Sequence, residues 1–247
     1  MRLFSPEHLA AIAATVLGAL ALTLAGGGAE KGRLSTLSGT TPRAIVLARG
    51  LAVVIAAGFV VEQVAYVARG EWSARVNLPL QLSDAVTLVA IAALWRPRPG
   101  VLSELVWFWG LSASLQAVLT PDLGETFPDV LFFTYFATHS GAVAGACLLV
   151  LGMGLIPRPR EAWRAFGLTV AFAALAAIGC VATGGNYMFL RHKPANGSIL
   201  DAMGPWPVYL AAAAAFGLAM LLVLQAIAWW LRRRGRASRT VRAAHGA

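Results

Sequence analysis

Ser83 and His139 are the side chains in this sequence best suited to chemistry. Ser83 lies in the stretch LPLQLSD, an apolar frame that carries Gln81, Ser83 and Asp84 at the start of a hydrophobic segment; His139 lies inside another, FFTYFATHSGAV. Histidine can take the proton of a serine hydroxyl and so make a nucleophile. An acid can orient the imidazole, in the logic of a triad. Glu62, Asp84 and Asp122 are candidates for that acid, with no basis in the sequence for choosing among them. Gln81, Gln116 and Asn186 can supply hydrogen bonds to an oxyanion or a headgroup, and Tyr187 stands beside them as a further contact residue. A nucleophile at headgroup depth reaches the ester carbonyls of a phospholipid. Acyl transfer or ester hydrolysis is therefore the reaction class these residues imply. Plainer roles compete. Ser83 can bond back to its own helix, His139 can be a packing histidine, and Asp84 is favoured at a helix N-terminus by the dipole. Glu62 and Tyr66 share a helix face and can simply partner one another.

The elements that must position these groups are membrane spans. The chain has 247 residues, of which 58% are hydrophobic and only 13% charged, with mean hydropathy +0.70; a soluble domain would carry about 25% charged residues. Apolar runs at 7–25, 44–68, 78–95, 101–119, 130–155, 163–183 and 206–231 predict an all-α polytopic membrane protein of seven transmembrane helices. The third run is the shortest. The expected organisation is one transmembrane domain over 1–231 and a basic tail over 232–247.

Charge sets the expected orientation. With the C-terminal RRRGRASRTVR in the cytoplasm, fourteen Lys and Arg residues fall inside and five outside, and the N-terminus lies outside. The net charge of +9 thus points to a multi-pass protein of the cell membrane whose tail rests on anionic headgroups, and not to nucleic acid. Parity argues that the first span is retained, since a cleaved signal peptide would place the arginine tail outside. Cys147 and Cys180 lie deep in spans five and six and read as packing thiols. No metal or cofactor fingerprint is present: one deep histidine and scattered carboxylates are not a ligand set.

In this orientation Glu62, Gln63, Gln81, Ser83, Asp84, Gln116, Asp122, His139, Asn186, Tyr187 and Asp201 all belong to the outer half, and the inner half is nearly bare of ionisable groups. Intramembrane ionisable groups mark function by default. At about 1.5 Å per residue, Ser83 sits roughly 7 Å below the outer boundary and His139 roughly 13 Å, a gap that helix tilt can close. Two other readings use the same pocket. It can bind or transport a lipid or small solute without chemistry, with Glu62, Asp84 and Asp122 as ligands, or it can be a degenerate site that kept its fold and lost catalysis. Trp107, Trp109, Trp206 and Tyr209 are expected at the membrane interface or against lipid, and Trp95 at the inner interface.

The stretches SPEHL, LPLQLSD, WFWGLSASLQAVLTPDL, FFTYFATHSGAV and NYMFLRHKPANGSILDAMGPWPVYL, in this order over nearly the whole chain, resemble the YwaF-like family of bacterial integral membrane proteins. That family is similar to eukaryotic transmembrane acyltransferases that remodel ether phospholipids, and more loosely to small transmembrane hydrolases of fatty-acid esters that use a threonine and a histidine. The resemblance implies membrane lipids as partners and a phospholipid or lysophospholipid as substrate. In the acyltransferase-like relatives the third span carries a PLHxC pattern whose cysteine takes the acyl group, assisted by a later histidine. Pro79 and Leu80 match that pattern, and His139 matches the later histidine. Gln81 stands in place of the pattern's histidine and Ser83 in place of its cysteine. Serine is the weaker nucleophile unless a base activates it.

Overall fold

A computed structural model describes residues 3–27, 41–194 and 198–245, with side chains described as far as residue 235. Lys31 and Arg33 of the first inner loop, and the side chains of Arg236, Arg239 and Arg242, lie outside the described residues.

Seven α-helices and two short 3-10 helices, Tyr187–Phe189 and Ile199–Met203, are described, and no strand is found among the described residues. The α-helices are α1 (Pro6–Gly26), α2 (Pro42–Ala68), α3 (Leu82–Trp95), α4 (Val101–Leu119), α5 (Val130–Gly152), α6 (Glu161–Thr183) and α7 (Val208–His245). Six of them are long and apolar enough to cross a membrane; α3, with 14 residues, is not. Local chemistry sets the ends. Pro6 and Pro42 open α1 and α2 at positions where a missing N–H costs nothing. Thr41 caps α2 by accepting from the Ala44 N–H at 3.1 Å, and Asp129 caps α5 by accepting from the Leu131 N–H at 2.8 Å. Gly184, at φ 74°, closes α6 in the left-handed region that glycine tolerates.

The predicted third span loses its first turn. Leu78–Gln81 is not helical: the Leu78 N–H donates to the Tyr187 hydroxyl at 3.2 Å, and the Gln81 side-chain oxygen accepts from the Met188 N–H at 2.7 Å. Leu78 also precedes Pro79, which disfavours helical backbone. The α3 helix therefore starts at Leu82, with the Asp84 carboxylate accepting from the Gln81 N–H at 3.1 Å. At the other extreme, α7 crosses position 231 unbroken, so the basic tail begins as a continuation of the last helix.

Helix α5 is the central post. Its small residues admit close neighbours: Gly58 of α2 packs on Ala137 and Thr138, Gly141 on Ile55 and Gly145 on Leu94. A π-helical segment, Gly110–Ser114, interrupts α4 where Gly110 lies against the backbone of Ala142. Trp107 and Trp109 are not at the membrane interface as expected. They are buried, and their indole N–H groups donate to Leu224 O of α7 at 3.2 Å and to Thr169 Oγ1 of α6 at 2.8 Å. Tyr209 is also buried and donates to Phe189 O. Trp95 and Trp206 are half-exposed.

The helices alternate in direction, and the two ends of the bundle differ in charge. One end gathers Arg96, Arg98, Arg158, Arg160, Arg164 and Arg232–Arg234; the other holds the segments 69–81, 120–129, 184–194 and 198–207. At the arginine end sits a group that the sequence reading left out. Glu104 is 5% exposed, its carboxylate pairs with Arg158 at 3.0 Å and with Arg164, and Glu161 completes the cluster. The arginine end therefore holds a buried acid, neutralised by Arg158 and Arg164.

Candidate functional site

The unwinding before α3 opens a cavity of about 510 Å³ at the end of the bundle opposite the arginines. Its walls come from α2, the start of α3, the end of α4, the first turns of α5 and the segment after α6. Seven of the predicted site residues meet there: Glu62, Gln81, Ser83, Asp84, Gln116, Asp122 and His139. Among the described residues, no lysine or arginine lines it.

His139 is fixed through one ring nitrogen. Nδ1 lies 2.8 Å from Tyr135 O and 3.2 Å from Thr138 Oγ1, and the ring stacks on Tyr135 at 4.1 Å. A carbonyl oxygen only accepts, so this contact assigns the proton to Nδ1 and leaves the Nε2 lone pair open. Nε2 has no hydrogen bond among the described residues. The orienting acceptor is thus the backbone carbonyl one helical turn back, a position no carboxylate occupies. Ser83 is the second residue of α3, and its carbonyl accepts from Thr87 Oγ1 at 3.0 Å. Its hydroxyl makes no hydrogen bond to a described residue, and none joins it to His139. The two line the same cavity with no hydrogen bond between them.

The remaining lining is partly committed. Gln116 Nε2 donates to Thr120 Oγ1 at 2.8 Å, and Gln63 Oε1 accepts from Trp72 Nε1 at 3.0 Å. Asn186 and Tyr187, expected to contact substrate, are not part of the lining. Asn186 organises its own loop, accepting from the Arg191 and His192 N–H groups at 2.9 and 3.2 Å. Tyr187 is fully buried, and its hydroxyl donates to Ala74 O at 2.6 Å while accepting from Leu78 N–H. Tyr187 thereby holds the backbone that delivers LPLQLSD to the cavity. The lining also includes Tyr66, Asn77 and Tyr135. Tyr135 lies four residues before His139, the helical spacing that marks a shared face.

Outside the spans, Arg69 and Asp129 pair at 2.7 Å, tying the end of α2 to the cap of α5. The Arg69 guanidinium and the Leu131 N–H hold the Asp129 carboxyl below its ordinary pKa. Among the described residues, no three His, Cys, Asp or Glu side chains cluster to hold a metal ion.

No curated protein and no solved structure matches the chain. The family model described as the TMEM164 family matches residues 3–225, nearly the whole sequence and all the walls of the cavity. This chain is an integral membrane protein that belongs to the TMEM164 family.

Proposed function

We propose that the protein is a lipid enzyme of the outer leaflet, an acyltransferase or ester hydrolase, with Ser83 as nucleophile and His139 as base. The observation that carries this reading is the meeting of an uncommitted hydroxyl and an open imidazole nitrogen on one membrane-embedded cavity. In the reaction, Ser83 Oγ attacks the ester carbonyl and His139 Nε2 takes its proton. The tetrahedral intermediate collapses, the carbon–oxygen bond to the leaving alcohol breaks, and the imidazolium returns the proton to that alcohol. Water, or the hydroxyl of a lysophospholipid, then attacks the acyl-serine with the same base assisting. Gln116 and Gln81, which line the same cavity, are the candidates for holding the oxyanion. The likeness to the YwaF-like proteins and to ether-phospholipid acyltransferases supports the same class. In this reading α3 is a seventh, shortened span, the arginine end faces the cytoplasm and the cavity opens outward.

A specific observation favours a second reading: no hydrogen bond joins Ser83 to His139. On that reading the cavity binds or passes a lipid or small solute without chemistry, through Glu62, Asp84 and Asp122, or is a degenerate catalytic site. Ser83→Ala and His139→Ala, assayed separately in proteoliposomes for lysophospholipid acylation and ester hydrolysis, decide between them. The enzyme reading expects each to lower the rate at least about a hundredfold. Activity that survives both changes, or solute flux with no covalent product, favours the second.

A further inference from the structure

The bundle has a second opening, at the arginine end, of about 870 Å³. Helix α3 explains it. Fourteen residues span about 21 Å against a hydrocarbon core of about 30 Å. The helix is therefore short at its ends, and the space beside its last turns is a groove between α3 and α4. The groove has apolar walls, among them Leu88, Ile91, Trp95 and Leu102, and two cations, Arg96 and Arg98, on its rim.

Those two arginines are uncommitted. Both are exposed, and among the described residues neither guanidinium makes an ion pair or a hydrogen bond. The nearest acid in sequence, Glu104, is already taken by Arg158 and Arg164. The wall beneath them is fixed: Arg49 Nε donates to Trp95 O at 3.2 Å, and its guanidinium lies 5.8 Å from the Trp95 ring centroid. The α4 N-terminus starts at Gly100, which has no side chain to cap it, so its dipole adds to the positive rim.

A site with a doubly cationic rim and apolar walls fits an amphiphile with an anionic head. A soluble anion leaves the walls wet, and a neutral or zwitterionic head leaves charge unmatched. We propose that this groove holds one anionic phospholipid, its phosphate on Arg96 and Arg98 and one acyl chain along Leu88, Ile91 and Leu102. The site lies at the opposite end of α3 from the Ser83 cavity and requires no chemistry there.

Native mass spectrometry of the full chain in detergent tests this, with phosphatidylglycerol and phosphatidylcholine of matched chains as probes. Wild type should retain phosphatidylglycerol about tenfold more tightly, a difference of about 1.4 kcal/mol. Two variants separate the parts of the site. Arg96→Gln/Arg98→Gln removes the rim charge, and Ala92→Phe fills the groove with both arginines in place. Loss of the preference in both, with millimolar inorganic phosphate failing to displace the lipid from wild type, is the expected result. Retention of the preference in either variant assigns it to other basic residues, such as Arg232–Arg234, and overturns the proposal. Displacement by inorganic phosphate overturns it equally. If the double variant is not monodisperse, Ala92→Phe decides alone.

Discussion

Tyr135 serves His139 twice, stacking on its ring and accepting its Nδ1 proton through the backbone. That is why no carboxylate orients the imidazole, and why the choice among Glu62, Asp84 and Asp122 had no answer in the sequence: a carbonyl partner carries no residue-type signature. Ser83, His139 and the acidic lining were legible because polar groups in apolar runs are costly and stand out. Asn186 and Tyr187 show the limit of that signal, since a side chain that braces a loop has the same composition as one that binds a ligand. Asp129 gives a prediction at this scale. Its pKa is held below the ordinary 3.8 by Arg69 and the Leu131 N–H. A lowered folded-state pKa means that its stabilising contribution is complete above the unfolded value and drains away as pH falls through the folded one. Asp129→Asn should therefore lower the thermal midpoint in detergent at neutral pH, with the gap to wild type closing as both are taken below pH 4. A gap that stays constant across that range would show that the pair contributes nothing through charge.

Helix boundaries followed the expected runs within a few residues wherever proline, glycine or a capping side chain punctuated them. The exceptions have tertiary causes. The first turn of the third span is drawn out by two bonds between positions more than a hundred residues apart, Leu78 to Tyr187 and Gln81 to Met188. The two tryptophans of α4 are interior because α6 and α7 offer acceptors that the sequence does not advertise. Packing of α5 makes a sharp contrast testable. A Cβ at Gly141 would stand 2.5 Å from Ile55 Cγ1, whereas one at Gly167 meets nothing within 4 Å. Gly141→Ala should destabilise the protein by about 1–3 kcal/mol through overpacking, and Gly167→Ala should stabilise it by about 0.5–1 kcal/mol through helix propensity. Denaturation in mixed micelles measures both; equal effects would mean that the close approach of Gly141 to Ile55 does not limit the packing of α5 on α2.

At the level of the whole molecule, one end is arginine-rich and the other carries the cavity, and the proposed orientation puts the arginine end in the cytoplasm. Single cysteines provide the check. Thr126→Cys lies in an exposed segment at the cavity end and Pro99→Cys in one at the arginine end. A membrane-impermeant thiol reagent should label the first in intact cells and the second only after lysis, and the reverse pattern would invert the orientation. The shortness of α3 also bears on how the protein is made. A segment of 14 residues with an aspartate in its first turn is too short to partition into the bilayer by itself. On the proposed seven-span topology it enters with α2 or α4, and Asp84 enters with it, ahead of the chain that finishes its surroundings. Met188 and Tyr187, which close that corner, emerge from the ribosome only after α6. Until then, on that topology, the half-built protein holds an open acidic notch.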